Sequence, residues 1–136
     1  MTIIAIDPGR EKCGIAAVAS DTHVLCQQVI DTESLAETVK RLITAYAAEK
    51  VIMGNGTSHH TAQYALEEIL AGTEITLELV DEYRTTDAAK IRYWENNPPR
   101  GLWRIVPTTM QVPPVPVDDY VAVILAERYL QSHDKK

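Results

Sequence analysis

The feature that most constrains the fold is a pair of apolar runs near the amino terminus, separated by a tight turn. Residues 2–7 read TIIAID and residues 13–19 read CGIAAVA, with Pro8 and Gly9 between them. Short runs rich in β-branched residues and bounded by Pro and Gly are typical of buried strands. We therefore expect a buried antiparallel hairpin, with Asp7 at the end of its first strand.

The rest of the chain predicts an alternation of strands and helices. The expected further strands cover residues 23–30 and 51–54, and a fifth strand begins at Ile75 and ends at Asp81-Glu82. The expected helices cover about 33–48, 59–71, 86–95 and 118–131. Ser34 and Glu37 suit a capping box in the first helix. This order predicts an α/β fold with a mixed sheet, in which an antiparallel meander is extended by parallel strands through right-handed helical crossovers.

Residues 96–116 hold six of the seven prolines and lack a clear period, so we expect a long, extended, Pro-rich loop. The 136 residues, 46% of them hydrophobic, fit a single domain over 1–136. Neither an apolar stretch of about 20 residues nor a signal-peptide pattern is present, so we expect a cytoplasmic protein that does not enter a membrane. Cys13 and Cys26 are too few for a disulfide scaffold and lack the spacing of a zinc site, so we expect buried thiols rather than metal ligands.

The charge is distributed unevenly. The formal net charge of −6 argues against a protein that coats nucleic acid non-specifically. The segment from Arg84 to Met110, however, contains five basic and two acidic residues, a local charge of +3. This segment is a candidate surface for an anion.

Acidic residues stand at the ends of three predicted elements. Asp7 ends the first strand, Asp81 and Glu82 end the fifth, and Asp118 and Asp119 open the last helix. The carboxyl ends of parallel strands meet at one edge of a sheet, where such folds place their sites. Carboxylates brought together repel unless a cation lies between them, and Mg²⁺ prefers oxygen ligands. The pattern therefore predicts a magnesium site, with Mn²⁺ as an alternative ion.

Each acidic element also has a structural alternative. Asp7 before Pro and Gly could accept a hydrogen bond within the turn. Asp81 and Glu82 could be a solvated strand end. Asp118 is a good N-cap and complements the helix dipole.

Three motifs in register resemble a known family. Ile6-Asp7-Pro8-Gly9, with Gly14 on the next strand, resembles the opening of the RuvC and YqgF group of RNase H-like nucleases. The segment VDEYRTT at 80–86 is similar to the Asp-Glu-Arg-x-[Ser/Thr]-Thr signature of YqgF-type proteins, which are described as pre-16S rRNA nucleases and as Holliday junction resolvase-like. VDDYVAVILAERYL at 117–130 resembles the closing helix of that family.

The resemblance implies an RNase H-like fold with strand order 3-2-1-4-5 and an Mg²⁺-dependent nuclease that processes rRNA precursors or resolves DNA junctions. It makes Asp7, Glu82 and Asp118 the catalytic, metal-binding carboxylates. Strand alternation alone does not choose between Asp81 and Glu82, and the match to the signature favours Glu82. Asp119 is either an extra ligand or an exposed neighbour.

The sequence departs from the family at two places. Position 83 is Tyr where the signature has Arg, although Arg84 follows. The segment GNGT at 54–57 looks like the YqgF-like domain of the transcription accessory protein Tex, which is thought to be a scaffold. The alternative function is therefore an inactive module that binds nucleic acid or serves as a scaffold. Actin-like sugar kinases open with a similar Asp-x-Gly turn, but they need a second such domain.

Cations and flat rings near the Pro-rich loop suit the phosphates and unpaired bases of structured RNA or branched DNA. The predicted nucleic-acid contacts are Arg84, Arg100, Trp103, Arg104, Asn55 and Thr57. The tryptophans Trp94 and Trp103 could instead pack the loop onto the core. His59 and His60 could contact phosphate or lie exposed in the first turn of a helix. The chain is expected to be a monomer or a homodimer.

Overall fold

The structure, a computed structural model, describes residues 2–56, 59–82, 85–99, 101–108, 113 and 117–133. Its five strands are β1 (Thr2–Asp7), β2 (Lys12–Ala19), β3 (Val24–Asp31), β4 (Lys50–Gly54) and β5 (Thr76–Val80). Its four α-helices are α1 (Leu35–Tyr46), α2 (His59–Leu70), α3 (Thr85–Asn96) and α4 (Asp118–His133). Short 3₁₀ helices cover Thr32–Ser34 and Gly101–Ile105.

The strands form one mixed sheet in the order β3-β2-β1-β4-β5, which confirms the predicted order. β1 pairs antiparallel with β2 and parallel with β4. β5 continues the parallel half and β3 the antiparallel half. The chain therefore places β1 in the centre, and the carboxyl ends of β1, β4 and β5 lie at the same edge of the sheet.

Each face of the sheet is covered by a different helical layer, as strand alternation requires. Ile4 and Ile6 point into a core formed with α1 and α2. Ile3 and Ala5 point into the opposite core, which is formed mainly with α4 and which α3 joins through Ala89. Asp7 follows Ile3 and Ala5 at alternate positions of β1, so its side chain lies on the face of the sheet that α4 covers.

Helix α4 is buried on nearly all sides, because the sheet lies on one side and α3 on the other. Each residue from Val121 to Ala126 is buried. Arg92 of α3 donates two hydrogen bonds to the carboxylate of Glu127, at 3.1 and 2.7 Å. The rings of Tyr93 and Tyr120 meet edge to face with centroids 5.9 Å apart. These contacts fix α3 across α4.

Two local predictions were wrong. Ser34 makes no side-chain capping bond, because a 3₁₀ turn precedes α1 and gives Ser34 a non-extended backbone (φ −92°, ψ 2°). The expected extended loop is interrupted by the 3₁₀ helix Gly101–Ile105, a proline-free stretch that begins at Gly101 with a positive φ of 63°. Within the described residues, no helix is long and apolar enough to cross a membrane.

Candidate active site

Three of the predicted acidic residues lie at the carboxyl edge of the sheet, on the face that α4 covers. Asp7 is the last residue of β1, Glu82 follows β5 by two residues, and Asp118 is the first residue of α4. All three are partly buried. The topology thus brings together residues that are up to 111 positions apart in the sequence.

The carboxyl groups of Asp7 and Glu82 are in direct contact. Burial raises the pKa of Asp7 to about 8, and the negative charge of Glu82, a hydrogen bond with the Glu82 carboxyl group and the charge of Asp118 act in the same direction. Two carboxyl groups can hydrogen-bond only when one of them carries a proton. Asp7 therefore holds a proton at neutral pH in the metal-free protein.

Glu82 lies in a cradle formed by two glycines of the β4 end and the loop that follows. A Cβ on Gly54 would overlap Oε1 of Glu82, and one on Gly56 would lie 2.5 Å from Oε2. The backbone N–H of Asn55 donates to the carbonyl of Val80 at 3.0 Å, which ties this loop to the end of β5. Only glycine at positions 54 and 56 leaves room for the Glu82 carboxylate.

Thr85 holds the backbone of Glu82 through two hydrogen bonds. Its hydroxyl donates to the Glu82 carbonyl at 2.8 Å, and its backbone N–H donates to the same oxygen at 3.1 Å. Thr85 is 2% exposed. Sequence reasoning did not assign a role to Thr85, Gly54 or Gly56, although Thr85 stands in the signature and the Gly-x-Gly spacing was visible.

Asp118 is positioned by a close approach between α4 and β2. Gly14 pairs with Asp7 across the hairpin, and a Cβ on Gly14 would overlap the backbone of Asp118. Gly14 therefore lets the first turn of α4 rest on the sheet beside Asp7. Burial raises the pKa of Asp118, and the adjacent charge of Asp119 raises it further.

The two alternative ligands point elsewhere. Asp119 accepts a hydrogen bond from the side-chain amide of Gln27 on β3, at 2.9 Å. Asp81 is exposed and lines a groove of about 420 Å³ between β5 and α4, together with Arg128 and Tyr129. The contact with Asp7 thus belongs to Glu82, the residue that the signature favours.

The donor set fits a hard divalent cation. It offers carboxylate oxygens alone, and Oε1 of Glu82 is buried without a hydrogen-bond partner among the described residues. A cation at the contact would replace the shared proton and offset the repulsion between Asp7 and Glu82. In the part of the chain that the structure describes, no three Asp, Glu, His or Cys side chains are already arranged around one position as ion ligands.

The predicted nucleic-acid contacts are described only in part. Thr57, Arg84 and Arg100 lie outside the described residues. Trp103 lies in the 3₁₀ helix Gly101–Ile105, where Arg104 is exposed and donates from Nε to the carbonyl of Gly101 at 3.2 Å. Asn55 is exposed at the end of β4, beside the Glu82 cradle.

Comparison with solved structures places this architecture among known proteins. No protein-family model matches the sequence, and no curated protein sequence matches it. Solved structures do match, and they define the class as the RNase H-like fold of Holliday junction resolvases. The predicted fold class is therefore confirmed.

Two structural neighbours represent this class. The chain is similar to Thermus thermophilus RuvC in complex with a Holliday junction substrate, with a TM-score of 0.62, 15% identity and coverage of 99% of this chain and 96% of the other. It is also similar to the Fowlpox virus resolvase in complex with Holliday junction DNA, with a TM-score of 0.65, 16% identity and coverage of 99% and 100%. At this identity the likeness shows the fold.

Proposed function

We propose that the chain is a divalent-metal-dependent nuclease that hydrolyses phosphodiester bonds in structured nucleic acid. The observation that carries this proposal is the contact between Asp7 and Glu82, where burial and the Glu82 charge raise the pKa of Asp7 to about 8 and one buried Glu82 oxygen has no hydrogen-bond partner among the described residues. Structural ion pairs are built from opposite charges, whereas a close pair of carboxyl groups is a feature of functional sites. The fold supports the proposal, since its solved examples include resolvases bound to junction DNA.

In this proposal Asp7, Glu82 and Asp118 hold Mg²⁺, or Mn²⁺ in its place. When bound, the metal would lower the pKa of an attacking water and stabilise the leaving oxygen of the phosphodiester. The chain's own contribution is positioning. Thr85 and the two glycines of the cradle fix Glu82, and Gly14 lets α4 bring Asp118 to the sheet edge.

The proposed substrates are branched DNA, such as a Holliday junction, and structured RNA, such as an rRNA precursor. The test incubates purified protein with a labelled four-way DNA junction and with a folded rRNA-precursor fragment, with Mg²⁺, with Mn²⁺ or with a chelator. Cleavage that requires the metal and falls at least about a hundredfold in Asp7→Asn and Glu82→Gln supports the proposal.

The matched control for these variants is Glu68→Gln, which removes an exposed carboxylate in the last turn of α2. This variant should cleave like the parent chain. Cleavage that persists at the parent rate in Asp7→Asn, or in the presence of chelator, would refute the mechanism.

A second candidate is an inactive module with the same fold that binds nucleic acid or acts as a scaffold. The segment GNGT at 54–57, which resembles the YqgF-like domain of Tex, favours this candidate. This candidate predicts junction or RNA binding with equal affinity in chelator and in Mg²⁺, and no cleavage with either metal. Any chelator-sensitive cleavage excludes it.

A further inference from the structure

The first turn of α4 carries two adjacent carboxylates with different surroundings. Successive residues of a helix point about 100° apart, so Asp118 and Asp119 do not face the same position. The backbone of Asp118 lies against Gly14, which pairs with Asp7 in the hairpin. After burial and the interactions with Glu82, the charge of Asp118 also raises the pKa of Asp7. Asp118 is therefore the α4 carboxylate that faces the candidate metal site.

The second carboxylate, Asp119, is directed toward the edge strand β3. Its Oδ2 accepts a hydrogen bond from Nε2 of Gln27 at 2.9 Å. Gln27 pairs with Ala16 of β2, whose side chain lies in the core beneath α4, so the Gln27 side chain projects from the same face of the sheet. A hydrogen bond to a charged acceptor is roughly twice as strong as one between neutral groups. This bond therefore fixes the direction of the Asp119 side chain.

The first turn of α4 is held differently from the rest of the helix. The N–H of Val121 closes this turn by donating to the carbonyl of Val117 at 2.9 Å. From Val121 to Ala126 the helix is held by buried apolar side chains. In the turn itself, the ring of Tyr120 packs against α3, and the bond to Gln27 is the polar anchor to the sheet. The orientation of this turn thus depends on Gln27 more than that of the later turns does.

We propose that Gln27 is a positioning residue of the metal site, which holds Asp119 toward β3 and thereby keeps Asp118 directed at Asp7 as the ligand from α4. The inference rests on the proposed function. Residues that orient metal ligands without touching the ion change metal affinity by about 10- to 100-fold when they are replaced. Because Gln27 acts through a neighbour of the ligand, we expect the lower end of this range.

The test measures Mn²⁺ affinity by electron paramagnetic resonance. Gln27→Ala should bind Mn²⁺ about tenfold more weakly than the parent chain. Gln28→Ala is the matched control and should bind like the parent, because Gln28 pairs with Ile15 and projects from the opposite face of β3.

Two variants of Asp119 separate its hydrogen bond from its charge. Asp119→Asn and Asp119→Ala both remove the charge, but only the asparagine oxygen still accepts from Gln27. Asp119→Asn should therefore bind Mn²⁺ about tenfold more tightly than Asp119→Ala. Equal affinities for the two variants would contradict the positioning role.

A double variant distinguishes positioning from a general loss of packing. Asp118→Asn already lacks the carboxylate that Gln27 directs, so adding Gln27→Ala should not weaken Mn²⁺ binding further. A second tenfold loss in this background would show that Gln27 acts independently of Asp118, which overturns the proposal.

Hydrogen exchange in chelator tests the first turn of α4 without the metal. The amide of Val121 should exchange about tenfold faster in Gln27→Ala, whereas the amide of the buried Leu125 should be unchanged. Unchanged exchange together with unchanged Mn²⁺ affinity in Gln27→Ala would refute the role of Gln27 and leave the metal site standing. A parent chain that binds no Mn²⁺ would refute the metal site itself, and with it the role of Gln27.

Discussion

Replacing Asp7 by asparagine should stabilise the metal-free protein at alkaline pH and abolish its response to Mg²⁺. The folded protein raises the pKa of Asp7 from 3.8 to about 8, so between these values the folded chain holds a proton that the unfolded chain has released. A group of this kind contributes stability that is fully present below the unfolded pKa and lost as the pH rises through the folded pKa. The asparagine side chain cannot titrate in this range, and its amide can donate to the Glu82 carboxylate.

The size of this stability loss follows from the pH dependence of the unfolding free energy, which changes by about 1.4 kcal/mol per pH unit for each proton by which the folded and unfolded chains differ. From pH 6 to pH 8, the unfolding free energy of the parent chain should fall by about 2 to 3 kcal/mol, because the folded chain holds the Asp7 proton and the unfolded chain has released it. For a chain of this size, that loss corresponds to a Tm lower by roughly 8 °C. Above the folded pKa, near pH 8, the loss should level off.

The assay is urea unfolding at pH 6, 7, 8 and 9 in chelator, for the parent chain and for Asp7→Asn. The difference between the two curves isolates Asp7 from every other group that titrates. Adding Mg²⁺ at pH 8 should restore the unfolding free energy of the parent chain and leave that of Asp7→Asn unchanged. Asp21→Asn, in the turn between β2 and β3, is the matched control and should follow the parent. Parallel pH profiles for the parent chain and Asp7→Asn would refute the shared proton.

Three further substitutions test how the site and its support are built. Gly56→Ala should fold with a Tm within a few degrees of the parent but lose the Mg²⁺-induced rise in Tm, because the new methyl group displaces the flexible end of Glu82; an undiminished rise would contradict the cradle. Thr85→Val should cost about 1 to 2 kcal/mol in urea unfolding, since the part-buried Glu82 carbonyl loses its hydroxyl donor and keeps only the Thr85 N–H, whereas Thr85→Ser should retain most of the stability. Arg92→Gln should cost about 1 kcal/mol, because the bidentate pair with Glu127 joins α3 to α4; an identical cost at 1 M salt would argue against an electrostatic origin.

The sheet could be predicted from the sequence because its signals are local. The hairpin around Pro8 and Gly9, the alternation in β5 and the helical period of α1 each depend on residues close together in the chain. The order 3-2-1-4-5 came from the family resemblance, and it is confirmed. The convergence of Asp7 and Glu82 follows from that order.

The support of the site could not be predicted, because it depends on contacts between distant residues. Strand alternation could not choose between Asp81 and Glu82, since β5 ends at Val80 and the period no longer applies beyond it. The hydrogen bond that holds Asp119 joins it to Gln27, which is 92 positions away. The glycine cradle likewise forms only when β4 and β5 lie side by side.

The most direct test of the proposed metal site is a crystal soaked in Mn²⁺ and measured for anomalous scattering. We expect a peak between Asp7 and Glu82, about 2.1 Å from an oxygen of each, with Asp118 on the same ion or on a second one beside it. The same soak of Asp7→Asn should show no peak there. A parent crystal without anomalous density at this contact, at a pH above 8, would contradict the proposed metal site.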